Sequence, residues 1–373
     1  NGTVTFAGNL AMTARANGAS RCCARAVVVL RWSQRPKCSG QRSAMPTKQT
    51  GAPVLRAQTL LARSSGAHTA CAGWCGLRAE PAREERVAAH VGPDSRYSKE
   101  IGLVKAGKVA LQPVEVKELV DAGRIAGKKV LHLMCHIGTD TISLKHAGAA
   151  SVTGLDFSGK ALAEAARLAA EAGLSPDEAR WVESDVYSAP VALGGERFDV
   201  VFLNVGSLCW LSSVTRWAAV VRECLAPGGT FYIRDGHPML FTLADEDTPG
   251  FMARPRDEHG GRDLLVTYPY FETIDGTSFD SNGTYADPNA KFTSTVTHEW
   301  NHSLGEIVTA LVTEGGLQIE FLHEHDRLDW RMIDTMHKDE DSTSLGFGGY
   351  QWPEHQRNLC PMMFSIRATS PRL

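Results

Sequence analysis

The sequence predicts an α/β fold, a doubly wound and mainly parallel sheet with helices on both faces. Three observations carry this. Short apolar runs alternate with amphipathic helical stretches from Lys128 to Arg234, the pattern of a parallel sheet with crossover helices. The first such unit reads strand, loop, helix, strand, acid: Val130 to Met134, a loop ending at Gly138, a helix from Thr139 to His146 stopped by Gly148, and Ser151 to Leu155 ending on Asp156. Two further runs, Leu317 to Leu322 and Met362 to Ala368, joined by a long connection, would finish the sheet as an antiparallel edge.

Taken in order, the chain divides by charge. Residues 1–79 hold eleven Lys and Arg and no Asp or Glu, so residues 80–373 carry 28 basic and 42 acidic groups. The basic extension is rich in Ala, Arg, Ser, Thr and Gly and has no apolar periodicity. It is expected to be disordered, and reads either as an organelle transit peptide or as sequence upstream of the true start. The location expected is therefore cytoplasmic, or plastid or mitochondrion if the extension is a genuine transit peptide. The acidic body argues against nucleic-acid binding, which needs a basic footprint. No run of about 18 apolar residues is present, so no membrane span is expected. Five of the nine cysteines lie in the extension, and no C-x-x-C pair occurs. Cys135, Cys209, Cys224 and Cys360 sit singly in apolar surroundings and read as reduced core thiols.

Glu80 to His90 and the amphipathic Leu111 to Val120 read as a helical lead-in packed beside the first strand, placed to cover a ligand. After Asp156, Ser158 caps a helix from Gly159 to Ala172, with Leu162, Ala165, Ala166, Leu168 and Ala169 on one face. Strand three is Ala179 to Glu183, strand four Phe198 to Asn204, and Trp217 to Leu225 an amphipathic helix. Pro227-Gly228-Gly229 turns into strand five, Thr230 to Arg234. From about Pro238 to His302 Pro, Gly, Asp and Tyr dominate, with two β-like runs, Leu264 to Phe271 and Phe292 to Trp300. An insertion after strand five lies on the ligand side of such a sheet, where a lid belongs. Ser303-Leu-Gly-Glu306 is a capping box opening a helix from Ile307 to Val312.

The opening unit suits an adenosine-type cofactor: a helix N-terminus for the anionic part, a carboxylate for the ribose hydroxyls. With Asp185 after strand three, Phe198-Asp-Val-Val-Phe202 and Leu225-Ala-Pro-Gly-Gly-Thr-Phe231, the order of motifs over about residues 100–370 resembles the class I S-adenosylmethionine-dependent methyltransferases. More narrowly, His132-Leu-Met-Cys-His-Ile-Gly-Thr-Asp140 and Glu299-Trp-Asn-His-Ser-Leu-Gly-Glu-Ile-Val308 look like a mainly bacterial subgroup acting on small molecules. The resemblance implies a Rossmann-like, seven-stranded sheet and S-adenosyl-L-methionine as cofactor. It places the cofactor's methionine half on Met134, Cys135, His136 and Gly138, the ribose on Asp156 beside Phe157, and the adenine on Asp185 and the Val186 amide. Asn204 to Leu208 would line the reacting centre. The usual loop is acid-x-Gly-x-Gly-x-Gly; here His132, Met134 and His136 stand at the first three positions and only Gly138 is kept. A Cβ at those positions obstructs close backbone approach, and His136 reads either as a cofactor or substrate contact or as a packed strand-end histidine.

The expected reaction is methyl transfer to a small-molecule N, O or S nucleophile by in-line displacement. If the nucleophile starts protonated, His237 just past strand five is the first candidate base, and His302 and His298 on the returning insertion are the second. Leu208, Trp210, Tyr268 and Trp300 are candidate walls of a substrate pocket. An acidic, aromatic insertion (Asp245, Glu246, Asp247, Asp257, Glu258, Tyr268, Tyr270, Tyr285) suits a cationic or aromatic acceptor, or is simply a solvated face. Two other readings stay open: a nicotinamide-dependent oxidoreductase, since Asp156 follows Gly138 at near the usual spacing although G-x-G-x-x-G is absent, and a non-catalytic cofactor-binding protein. His298-Glu-Trp-Asn-His302 fits the zinc-protease expression H-E-x-x-H, but lies in a strand-like, β-branched context with the helix cap only at Ser303; no metal is expected. Asn282-Gly-Thr and Asn301-His-Ser match glycosylation patterns without a secretory signal.

Overall fold

A computed structural model describes residues 2–6, 28–32, 81–93, 95–246, 248–280, 291–339 and 349–372. Asp247, Asn282, Tyr285 and all five N-terminal cysteines lie outside the described residues. The chain divides into two compact units, Asn1–His68 and Thr69–Leu373. In the first, Gly2–Phe6 and Val28–Trp32 pair antiparallel, Gly2 opposite Trp32.

The second unit is built on a seven-stranded sheet. Its strands are β1 (Lys129–Leu133), β2 (Ser151–Asp156), β3 (Ala179–Glu183), β4 (Phe198–Leu203), β5 (Leu225–Gly236), β6 (Gln318–His325) and β7 (Met363–Thr369). Their spatial order is β6-β7-β5-β4-β1-β2-β3. The β5–β4, β4–β1, β1–β2 and β2–β3 pairings are parallel, while β7 runs antiparallel to both β5 and β6. The antiparallel strand thus belongs to the expected edge pair, one place in from the rim. The fold is a doubly wound, Rossmann-like sheet. Its order reverses beside β1, and ligands of such sheets bind at the carboxyl ends of the strands around that point.

Helices α1 (Pro81–His90), α2 (Ser98–Lys105), α3 (Thr139–His146) and α4 (Gly159–Glu171) precede β3; α5 (Val214–Cys224) and α6 (Leu304–Thr313) follow β4 and the insertion. The caps are the expected ones. Ser158 Oγ accepts from Ala161 N–H at 3.1 Å, and Ser303 and Glu306 exchange bonds of 3.1 and 2.8 Å. Helix α5 starts a turn earlier than its apolar pattern suggests, because Ser213 supplies the cap. Residues 113–120 are helical with a wider second half.

Side chains alternate across the sheet. Leu131, Leu133, Val201, Leu203, Phe231 and Ile233 face α5 and α6, whereas Val130, Val152, Val200, Phe202 and Tyr232 face the lead-in, α3 and α4. Because both faces are covered, the strands read as near-continuous apolar runs. Between β4 and β5 the register jumps from Phe198 opposite Leu225 to Val200 opposite Thr230, so residues 226–229 bulge out as the expected Pro-Gly-Gly turn.

The insertion differs from its sequence reading. Leu264 to Phe271 is not a strand; it makes one bridge, Leu243 to Val266. Pro269 has no N–H to offer a ladder, and its carbonyl accepts instead from the Asn301 side chain at 2.9 Å. The partner of Val296–Glu299 is Thr277–Asp280. The long β6–β7 connection is a second insertion. Leu240, Leu243 and Phe251 of the first share one apolar core with Leu328, Ile333, Met336 and Trp352 of the second. Asp334 pairs with Arg256 and Arg262 across the two.

Candidate cofactor and acceptor site

The site grows out of the turn after β1. Met134 and His136 have φ of 58° and 52°, and Gly138 has 76°. The backbone therefore takes the left-handed conformations that glycine normally supplies, although two of the three residues carry Cβ atoms. Each such residue costs of order 1–3 kcal/mol unless its surroundings hold it, and here they do. His136 N–H donates to Asp156 Oδ2 at 2.8 Å, Cys135 N–H to Leu155 O at 3.0 Å, and Gly138 N–H to Cys135 O at 3.0 Å. Gly138 is obligatory for a second reason: a Cβ there would stand 2.6 Å from the Trp181 ring and 2.8 Å from Ala165. The same indole lies over Gly154 of β2, where a Cβ would meet it at 2.5 Å. Trp181 thus locks loop, strand and α4 together.

Asp156 ends β2 at 7% exposure. His136 N–H on Oδ2 and Ser158 N–H on Oδ1, at 2.8 and 3.0 Å, fix its orientation, and Phe157 stands half-buried beside it. Asp185 follows β3 and caps a short turn, its Oδ1 accepting from Tyr187 and Ser188 N–H at 2.9 and 3.2 Å, with Val186 buried behind it. The two carboxylates end neighbouring strands, β2 and β3, that pair Asp156 with Glu183.

The His136 side chain turns to the lead-in. Its Nε2 lies 2.8 Å from His90 Nδ1, and both rings pack on Tyr97 at centroid distances of 5.5 and 5.6 Å. Burial lowers the His136 pKa to about 4, and burial together with His136 lowers that of His90 to about 2. The lead-in helices therefore sit on the loop as the sequence suggested, with Val87 of α1, Ile137 and Ala161 in one apolar contact.

After β4, Asn204 Nδ2 donates to Asp140 Oδ2 at 2.9 Å. The next turn is held by a residue the sequence reading missed. Asp235 of β5 accepts from Gly206, Leu208 and Gly236 N–H at 2.8, 3.1 and 2.7 Å and from Ser207 at 3.3 Å. Burial raises its pKa against the pull of those backbone donors. A polar Arg-Asp pair ending an otherwise apolar strand is the sequence signal that could have flagged it. Leu208 is buried and Trp210 half-buried on this turn, and Trp300 joins them through its N–H to Cys209 O at 2.8 Å. Trp300 Nε1 is buried with no hydrogen-bond partner among the described residues. Tyr268 stands within the insertion, its hydroxyl 3.0 Å from Thr248 Oγ1 and its ring against Phe279.

The three candidate bases are placed apart from one another. His237 is buried; its Nδ1 accepts from Met239 N–H at 3.0 Å, and its Nε2 lies 2.9 Å from Glu324 Oε1 of β6. Burial lowers its pKa, with Glu324 opposing. His302 is buried, with Nε2 2.7 Å from Leu211 O and Nδ1 2.9 Å from Glu272 Oε2. His298 is exposed on its strand, 2.9 Å from Ser278 Oγ. His298 and His302 therefore do not share a helical face as H-E-x-x-H chemistry requires, and no group of three metal-ligating side chains occurs among the described residues. Cys135, Cys209, Cys224 and Cys360 are free thiols, and no described helix is long and apolar enough to cross a membrane.

Beneath Asn204, on the lead-in face, lies a buried charge cluster. Arg234 Nη2 binds both oxygens of Asp329 at 2.6 Å and Nη1 lies 3.4 Å from Glu115 Oε1. Buried Glu100 and half-buried Asp140 lie within electrostatic reach of this pair. Burial pushes Glu115 up to about 8 and Asp140 up to about 6, and raises Glu100.

A family model described as a methyltransferase domain matches residues 130–229, from β1 into the turn before Thr230. Among solved structures, a putative S-adenosylmethionine-dependent methyltransferase from Listeria monocytogenes aligns at 20% identity and TM-score 0.46, covering 69% of this chain and 98% of that one. One from Mesorhizobium loti aligns at 19% and 0.42, covering 68% and 97%. The glycopeptide N-methyltransferase MtfA, complexed with S-adenosyl-L-methionine, aligns at 18% and 0.40, covering 69% and 93%. No curated protein matches the chain in sequence.

Proposed function

We propose that this chain is an S-adenosylmethionine-dependent methyltransferase acting on a small-molecule N, O or S nucleophile. The observation that carries the reading is the left-handed backbone of Met134, His136 and Gly138 tied to Asp156 by the His136 N–H. A loop of this shape offers successive amides to an anionic group at the start of α3, and the carboxylates of Asp156 and Asp185 end the two adjacent strands. The methyltransferase-domain match spans all of these residues.

In this reading Met134 to Gly138 hold the methionine half, Asp156 the ribose hydroxyls, and Asp185 with the Val186 amide the adenine. When bound, the cofactor supplies a methyl group on a sulfonium, which needs no covalent enzyme intermediate. The protein's part is then positional: to keep nucleophile, methyl and sulfur collinear and to exclude water. Asp235 fixes the turn from Asn204 to Leu208, and the lead-in seals the loop through His90 and His136. His237 and His302 act as struts, because His237 Nδ1 already accepts a backbone N–H and His302 Nε2 donates to a backbone carbonyl.

Titration calorimetry with S-adenosylmethionine and S-adenosylhomocysteine tests the reading. Micromolar binding of both is expected, and failure of either to bind rejects it. A screen with methyl-labelled cofactor against amines, alcohols and thiols then identifies the acceptor atom.

A further inference from the structure

Arg234 is the one guanidinium in the buried cluster, and Asp329 and Glu115 already occupy it. Two carboxyl groups remain. Asp140, in the first turn of α3, receives a hydrogen bond from the neutral Asn204 amide and feels Arg234 only through its field. Glu100, in the first turn of α2, is 5% exposed, and neither of its oxygens has a hydrogen-bond partner among the described residues. Its own backbone N–H and the exposed Lys99 beside it in sequence favour its charged form, and burial outweighs them. Helix α2, which carries Glu100, packs against α3, which carries Asp140, and Glu100 interacts electrostatically with both Asp140 and Asp329.

A buried carboxyl group without a partner carries an uncompensated desolvation cost. A neutral ligand leaves that cost in place, an anion worsens it, and an ammonium group removes it with up to three N–H donors. The region is at the carboxyl end of the sheet, and Asn204 touches both Asp140 and the turn that lines the reacting centre. The residues around it come from the lead-in, from the first turn of α3 and from the β6–β7 insertion.

We propose that Glu100, Asp140 and Asp329 form the binding site for the ammonium group of the methyl acceptor, which is therefore a protonated aliphatic amine. This rests on the methyl-transfer reading above for the word acceptor, though not for the site.

The test uses the full chain and the substitution Glu100→Gln, which keeps shape and removes the charge. S-adenosylhomocysteine is titrated first; phenethylammonium chloride and its neutral isostere 2-phenylethanol follow, with and without the cofactor product. The wild-type protein is expected to bind the amine at least tenfold more tightly than the alcohol. E100Q is expected to lose that preference, to hold S-adenosylhomocysteine within twofold, and to melt at a higher temperature because an unpartnered acid has gone. Equal binding of amine and alcohol, or binding of neither, overturns the proposal. A parallel loss of S-adenosylhomocysteine affinity in E100Q also overturns it, assigning the carboxylates to the cofactor's amino group. If the wild type binds the amine but not S-adenosylhomocysteine, the methyl-transfer reading fails while the ammonium site stands.

Discussion

The loop after β1 and the carboxylate pocket around Arg234 lie along the same edge of the sheet but are assembled differently. The loop and its acid come from one stretch, residues 134–156; the His136 and Ser158 N–H groups hold Asp156, and the His136 ring pairs with His90 of the lead-in. The cluster draws Glu100, Glu115, Asp140, Arg234 and Asp329 from five separate places in the chain, and among the described residues the Glu100 oxygens have no hydrogen-bond partner. The first pays for left-handed backbone with hydrogen bonds. The second holds more buried carboxyl groups than cations, and burial raises the pKa of Glu100, Glu115 and Asp140. Under the proposed function, the saturated loop suits a constant cofactor, and the cluster with unmet hydrogen-bonding demand suits a variable acceptor.

The contrast can be broken most severely at Asp156. Asp156→Ala removes the acceptor for His136 and Ser158 N–H, and cofactor affinity is expected to fall by two to three orders of magnitude, about 3–4 kcal/mol. Calorimetry with S-adenosylhomocysteine measures it, and circular dichroism should show the sheet retained; an unchanged dissociation constant would show that this carboxylate does not hold the cofactor.

Gly138→Ala attacks the same loop through packing. The added Cβ meets Trp181 at 2.6 Å in a residue with φ of 76°, so a loss of about 2–4 kcal/mol is expected in urea unfolding. Trp181→Leu in the same chain should recover part of it by clearing the space; no recovery would place the cost in the backbone alone.

The two regions should also titrate in opposite senses. His132, held by burial at about 3, and His136 at about 4 stay neutral in the folded protein, whereas unfolded imidazoles take protons near 6.5. Their contribution is fully present above pH 6.5 and is lost as pH falls toward about 4. Asp140, raised to about 6, behaves in reverse: the folded state binds the extra proton, so its penalty is absent below about 4 and complete above about 6. Asp140→Asn should therefore stabilise the protein by about 1–2 kcal/mol at pH 7.5 and by much less at pH 4.5, read from denaturation midpoints across pH. His132→Asn should flatten only the acid limb. A uniform gain for D140N at every pH would remove charge burial as its cause.

The smallest effect is expected from Met134→Gly. Relief of a left-handed φ of 58° and the greater freedom of the unfolded chain nearly cancel, leaving less than about 1 kcal/mol and an unchanged cofactor affinity. A large loss would mean that the Met134 side chain, which packs against the main apolar layer, matters more than its backbone.

Much of this molecule is local, and the local part was legible. The β1–α3–β2 unit, the Ser158 and Ser303 caps and the Pro227-Gly-Gly turn each depend on residues close in sequence, so propensity and spacing suffice to place them. The positions of Asp156 and Asp185 at strand ends were legible for the same reason: those strands can be counted. What spacing cannot reveal is pairing across long separations. That Leu264–Phe271 forgoes a ladder was decided by Asn301 reaching the Pro269 carbonyl. That the insertions share a core depended on Leu240 meeting Trp352. That His136 faces His90 followed from the seating of α1. The sequence alone determined the order of elements, the acids at the strand ends and the acidic character of the body, because these follow from short-range stereochemistry and charge count. Only the tertiary structure decided which carboxylates found a cation and which did not, because burial and Coulomb energy depend on distances that the chain sets by folding.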